Sequence, residues 1–421
     1  MAQLLTGQIL LQLIVILILV QIFGFLCKRI GQQWVIGEIL AGLVLGPSLL
    51  GIFLPNVKSF FFPASALPTL QTLGDIGLIM YMFSLGARLD THLLLRQSRT
   101  AIFASISGIL LPLLLGTILA FFLFPGLAGS KATLISFVLM VGTAMSITAF
   151  PVLARFLTER KMLGTRIGTL ALTCAVVDDV IAWCLLALVV AIAHAWDMAS
   201  VAWTICLTLL FLVCMLAIVR PLLAFSYRRI HSKQAQVALC TILLLLSAYS
   251  TNAIGIHPIF GAFMMGIILP RKVLLVELVR EFDQVNAALF LPLYFVSSGL
   301  RTQIGLISTP WLWLICLLVL VIACVGKICG GTLAVRFTGE TWCDALSLGI
   351  LMNTRGLVEL IVLNMGLDLG VLSPTMFTML VIMALVTTMM ASPLLPLFGY
   401  KKAVIQERSE EIDPRIEMDP R

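Results

Sequence analysis

The chain is 421 residues long, 61% hydrophobic and only 11% charged, with a mean hydropathy of +1.11. So little charge excludes an ordinary soluble globular domain and reads as an integral membrane protein. The formal net charge of +7 is explained below by loop positions and gives no indication of a nucleic-acid partner.

A hydrocarbon core roughly 30 Å thick needs about twenty residues of a helix that rises about 1.5 Å per residue. Thirteen apolar runs meet that need, which predicts an all-α polytopic bundle of about thirteen transmembrane helices. In chain order the spans are Gln8 to Cys27, Trp34 to Phe53, Leu70 to Gly86, Ala101 to Phe124, Leu134 to Leu157, Ile167 to Ile192 and Ser200 to Val219. They continue as Ala235 to Ala253, Ile256 to Pro270, Val285 to Gly299, Trp311 to Val335, Ala345 to Met365 and Pro374 to Leu397. The first has neither a basic n-region nor a small-residue cleavage site, so it is expected to be a retained span rather than a secretory leader. Several others are short or interrupted by Gly and Pro. Lipid tolerates that only where neighbouring protein or a water-filled cavity satisfies the freed backbone groups, so polar sites are expected inside the bundle.

Loop charges orient the bundle. Lys and Arg number 21 after the odd-numbered spans against 3 on the other side (Lys58, Lys131 and Arg301), while Arg155, Lys327 and Arg355 lie within spans. The excess predicts a cytoplasmic C-terminus and an external N-terminus. The membrane domain is placed at 1–400, followed by a short disordered cytoplasmic tail at 401–421, where charge is dense and apolar residues are few. The ten cysteines are scattered singly with no CxxC motif, and they read as packing residues.

The sequence also repeats itself. Leu78, Tyr81, Ser84, Gly86 and Arg88 recur as Leu291, Tyr294, Ser297, Gly299 and Arg301, the same LxxYxxSxGxR pattern 213 residues on. In the spans before them, Gly37 and Gly42 of IGEILAGLVLGP match Gly261 and Gly266 of FGAFMMGIILP. Spans 1 to 6 (about 8–192) then correspond to spans 8 to 13 (about 235–397), with a linker helix at about 200–219. Seven spans separate equivalent positions, and an odd number reverses the direction of crossing. Inverted repeats of this kind belong to secondary transporters, which place their site near the midplane in interrupted helices.

Two such interruptions are predicted. Span 5 carries Ser146-Ile147-Thr148-Ala149-Phe150-Pro151 about halfway through, where Pro151 removes a backbone donor. Span 12 carries Asn353-Thr354-Arg355-Gly356 at similar depth. Unwound backbone at both points would expose carbonyls and opposed half-helix ends in mid-membrane.

The acids decide what these breaks face. Asp178 and Asp179 sit in the middle of span 6, where an ionised carboxylate costs roughly 2.5 to 3.5 kcal/mol on insertion scales. Lys327 lies at matching depth in span 11 and needs a buried partner, for which Asp178 or Asp179 is the only acid at that depth apart from Glu359. One ammonium facing two acids leaves one carboxylate free for a cation or a proton; a purely structural ion pair is the alternative. Thr148 either joins this site or bonds to its own helix, and Ser146 is a further candidate ligand. Arg355 and Glu359 are spaced i, i+4 and read mainly as a gating or structural ion pair. Glu38 and Asp75, near span ends, are expected at the membrane interface, and His257 is assigned no role.

TAMSITAFPVLARFL (Thr143 to Leu157), VVDDVIAWCLLAL (Val176 to Leu188), GKICGG (Gly326 to Gly331) and MNTRGLVELIVLNMG (Met352 to Gly366) together resemble the monovalent cation:proton antiporter-2 family. The resemblance is closest to the branch of plant cation/H+ exchangers and fungal potassium/H+ antiporters, and it covers essentially the whole membrane unit. It implies the sodium/proton antiporter fold, with Asp179 as the ion-binding aspartate, Asp178 the position before it, Lys327 the motif lysine and Thr148 the crossover residue beside the site. It further implies a homodimer whose core, spans 4 to 6 and 11 to 13, moves as an elevator. Two departures stand out. Plant members of the branch typically have Asn where this chain has Asp178, so the Asp-Asp pair is more like the electrogenic sodium/proton antiporters. Many bacterial relatives also add a cytoplasmic regulatory domain.

The expected function is therefore secondary active exchange of Na+ or K+ for H+, with no enzyme chemistry and no cofactor beyond the transported ions. Asp179 is the monovalent-cation ligand, and the partners are cations, protons, the lipid bilayer and a second copy of the chain. A bacterial inner membrane suits the short loops. A non-transporting sensor or assembly protein on the same fold is a second reading, and an organic-anion carrier of related fold a third; the intact core acids disfavour both.

Overall fold

A backbone in lipid must satisfy its own N–H and C=O groups, and a helix does so within one segment, so the apolar runs become helices. The structure, a computed structural model, describes residues 2–63, 67–88, 99–162, 165–194, 198–230, 232–270 and 283–397. The expected tail at 401–421 lies outside the described residues.

The chain begins with α1 (Ala2–Arg29), α2 (Trp34–Leu45, prolonged by a short helix at Leu50–Phe53), α3 (Leu67–Arg88) and α4 (Arg99–Leu127). It continues through α5, broken into α5a (Leu134–Ser146) and α5b (Phe150–Glu159), then α6 (Arg166–His194) and α7 (Met198–Cys214). The last of these runs through a π-helical turn at Met215–Val219 into Arg220–Arg229. There follow α8 (Lys233–Ile254), α9 (Pro258–Ile267), α10 (Leu291–Arg301, preceded by a π-helical turn at Asn286–Phe290) and α11 (Pro310–Phe337). The second broken helix consists of α12a (Trp342–Met352) and α12b (Leu357–Asp368), and α13 (Pro374–Leu397) ends the bundle. Among the described residues, nine helices are long and apolar enough to cross a membrane alone. The broken α5 and α12 and the short α9 and α10 supply the remaining crossings, which completes the expected thirteen.

The crossings form two packed groups. Helices α1–α3 pack with α8–α10, helices α4–α6 pack with α11–α13, and α7 connects the repeats. The first group is held by close backbone approach. A methyl group at Gly42 would overlap the Val296 carbonyl, and one at Gly266 the Phe83 carbonyl; Gly86 meets the Phe263 carbonyl and Gly299 the Ile39 carbonyl in the same way. Since Gly42 matches Gly266 and Gly86 matches Gly299 in the repeat, these contacts are two pairs related by its symmetry. In the second group α4 meets α11 through small residues, Gly326 against Pro112 and Gly330 against Ser107, whose hydroxyl donates to the Gly330 carbonyl at 3.0 Å.

Glu38 is buried on α2. His257 caps α9, its side chain accepting from the Ile259 N–H at 3.5 Å. Asp75 lines a polar pocket between α3, α10 and α12b.

Candidate ion-binding site

The two breaks cross where the sequence predicts them. Residues 147–149 and 354–356 lie outside helix between the half-helices, and the Ala149 N–H donates to the Thr354 carbonyl at 3.1 Å. Gly356 permits the crossing, since a methyl group there would overlap the Val152 side chain. Pro151 falls in the first turn of α5b, where a missing backbone N–H leaves no helical bond unmade. Thr388 of α13 clasps the second break: its hydroxyl accepts from the Arg355 N–H at 3.0 Å and lies 2.8 Å from the Arg355 carbonyl.

Breaking α5 leaves orphan carbonyls at the end of α5a, in mid-membrane. Two buried cations take them. The Arg355 guanidinium donates to the Ala144 carbonyl at 2.8 Å and the Met145 carbonyl at 2.6 Å, and the Lys327 ammonium donates to the Ser146 carbonyl at 2.5 Å. Positive charge at a helix C-terminus is also what the helix dipole favours. Arg355 contacts Glu359 only through a longer bond of 3.4 Å. The ion pair expected from i, i+4 spacing is present, but the arginine is held mainly by backbone.

Lys327 makes two further bonds, to the Gly108 carbonyl at 2.9 Å and to Asp178 Oδ2 at 2.9 Å, so all three ammonium protons are used. Asp178 and Lys327 are both fully buried. Both Asp178 oxygens are engaged as well, because Oδ2 also accepts from the Thr148 hydroxyl at 2.8 Å and Oδ1 accepts from the Ser105 hydroxyl. Thr148 Oγ1 lies 2.9 Å from the Met352 carbonyl too, so its one proton is shared between Asp178 and the end of α12a, and neither acceptor belongs to its own helix.

Asp179 differs in every respect. It is 4% exposed, yet among the described residues neither of its oxygens has a hydrogen-bond partner. The Phe150 N–H at the start of α5b lies beside it, short of hydrogen-bond geometry. Asp178 is thus neutralised by Lys327, and the second acid keeps both oxygens available in a buried setting. Ser146 contributes its carbonyl alone; its hydroxyl donates back to the Thr143 carbonyl at 2.8 Å.

Sequence reasoning missed Ser105, a serine in an apolar helix with no recognised motif around it. It also missed the backbone role of Gly108, since a carbonyl ligand leaves no mark on residue type.

The region 14–398 matches the family model described as sodium/hydrogen exchanger, transmembrane. The chain is 44% identical over 392 residues to the Na(+)/H(+) antiporter NhaS4 of Synechocystis sp., covering 92% of this chain and 96% of that protein. It is 40% identical over 394 residues to cation/H(+) antiporter 17 of Arabidopsis thaliana, covering 92% of this chain but 48% of the plant protein. The fold matches that of the sodium proton antiporter MjNhaP1 from Methanocaldococcus jannaschii, with a TM-score of 0.63 and 16% identity over 92% of this chain and 96% of that one.

Proposed function

We propose that this chain, which belongs to the sodium/hydrogen exchanger family, exchanges Na+ or K+ for H+ at Asp179. Membership makes it a cation/H+ antiporter; the residue and the ion are the finer reading. One observation carries that reading: a buried aspartate with both oxygens unpartnered among the described residues sits next to one paired with a buried lysine. Burial disfavours a bare carboxylate, and a partly dehydrated cation or a proton relieves it. Each excludes the other from the same oxygens, so alternating access couples their movements. Na+ is the first candidate because the bacterial relative matched over nearly its whole length is named a Na+/H+ antiporter.

The motion is an elevator, with α4–α6 and α11–α13 sliding against the scaffold of α1–α3 and α8–α10. What supports it is the distribution of contacts, dense within each group and sparse between them, with polar ties at both faces. On the face where α1 begins, Arg301 of the scaffold donates to Asn364 at 3.2 Å and to Asp368 of the core. On the opposite face Gln32 donates to the Met389 carbonyl at 3.2 Å and Ser392 to the Gly31 carbonyl at 2.9 Å. The distribution of basic residues supports a cytoplasmic C-terminus, and a bacterial inner membrane and a homodimer complete the proposal.

During the cycle Asp178 and Lys327 separate and re-pair, and Asp178 supplies a second proton, making exchange electrogenic. The test is purified protein in liposomes with a trapped pH dye, pulsed in turn with Na+, K+ and Li+. The reading expects proton flux with Na+ or K+, and flux that responds to a potential clamped with valinomycin and K+. No cation-driven flux would contradict the activity; flux indifferent to potential would leave Asp178 a structural partner of Lys327.

A further inference from the structure

We propose that a lipid acyl chain occupies a crevice between α6, α7, α8 and α9, wedged between the helix that carries the two aspartates and the scaffold. The crevice has a volume of about 260 Å³. Its walls include Trp183 and Ala187 of α6, Phe211 of α7, and Phe260, Met264 and Ile267 of α9. The last three recur at i, i+4 and i+7, forming one apolar stripe that runs about 10 Å along the helix, parallel to the direction in which a lipid tail lies.

Water finds no hydrogen-bond partner in the apolar lining of this space. The two threonines that line it spend their hydroxyls on their own helices: Thr208 donates to the Thr204 carbonyl at 2.6 Å, and Thr251 lies 3.0 Å from the Ala248 carbonyl. An apolar cavity with no polar partner stays dry and takes apolar guests. The crevice also has a mouth. Cys184 in its wall is exposed, and the neighbouring Leu188, Leu209 and Leu210 are 39%, 58% and 61% exposed on helices at membrane depth. The wall is therefore continuous with the surface that faces the bilayer, and the nearest apolar guest is a phospholipid tail.

The position gives the tail a consequence. Trp183 lies one turn beyond Asp179 on α6, and its ring packs edge-on against Phe260 of the scaffold with centroids 5.3 Å apart. This is the inner wall of the crevice, so a chain seated there touches both groups of helices at once.

The experiment reads Trp183 fluorescence in proteoliposomes made from phosphatidylcholine with either plain or mid-chain brominated tails, bromine being a contact-range quencher. Subtracting the emission of Trp183→Phe from that of the unmodified protein isolates Trp183. Most of this emission should be lost in the brominated bilayer. The loss should disappear when Ala187→Phe fills the crevice, with Ala187→Leu as the milder variant if the first does not reconstitute. Equal Trp183 emission in the two bilayers would overturn the proposal, as it would if a second copy of the chain covered the crevice. Quenching unchanged in both filled variants would also overturn it, since the bromines would then act from the surrounding lipid.

Discussion

Asp178 and Asp179 are neighbours in sequence and opposites in circumstance: the first accepts from Lys327 at 2.9 Å and from two hydroxyls, whereas the second has no hydrogen-bond partner among the described residues. The contrast follows from α6 itself. Adjacent residues on a helix point about 100° apart, so one acid reaches Lys327 and the crossing point while the other faces elsewhere.

Lys327→Met leaves Asp178 buried and uncompensated. Breaking a buried pair from one side costs about 3–5 kcal/mol, so the thermal midpoint in detergent should fall well below that of the unmodified protein. Adding Asp178→Asn should restore much of the loss. Equal midpoints for the single and double variants would contradict the pairing.

Arg355→Leu strips the Ala144 and Met145 carbonyls of their donors, at roughly 1–3 kcal/mol for each buried group left unsatisfied. Glu359→Gln removes only the charge at the end of a 3.4 Å bond. Thermal unfolding should show the arginine variant to be much the less stable. The reverse order would mean that the ion pair, rather than the carbonyl contacts, holds the break.

Much of this was legible in the sequence, and the residues show why. Asp178, Asp179 and Lys327 are costly in lipid, so each announces itself, and the cost argument alone pairs the lysine with an acid. The breaks were marked by Pro151 and by the Asn-Thr-Arg-Gly run. Residue type says nothing about which carbonyl a side chain meets, however, so Arg355 was paired with its nearest acid although α5a offers it two better acceptors. Ser105 was invisible for a related reason: a serine in an apolar helix looks the same whether it bonds to its own turn or to an aspartate on another helix.

Gly42→Leu places a side chain against the Val296 carbonyl, while Gly7→Leu meets nothing within 4 Å. Overpacking typically costs about 1–3 kcal/mol and more where backbone must move. The first variant should reconstitute poorly and the second normally, judged by monodisperse yield. Equal yields would argue against close packing of α2 on α10.

Arg301→Asp should weaken the contact between scaffold and core on one face only. In an elevator this biases the equilibrium, so apparent cation affinities measured from the two sides of oriented vesicles should shift in opposite directions. Asp368→Arg added to Arg301→Asp should bring both back. Affinities that fall equally from both sides, with no rescue, would make the pair merely structural.

The most direct test of the account is proton flux through Asp179→Asn in dye-loaded liposomes, beside the unmodified protein and under a Na+ or K+ gradient. The substitution removes the titrating charge with little change in volume, so the variant should reconstitute with an unaltered thermal midpoint and show flux no greater than empty liposomes. Cation-driven proton flux in a folded Asp179→Asn protein would contradict the assignment of Asp179 as the place where cation and proton compete.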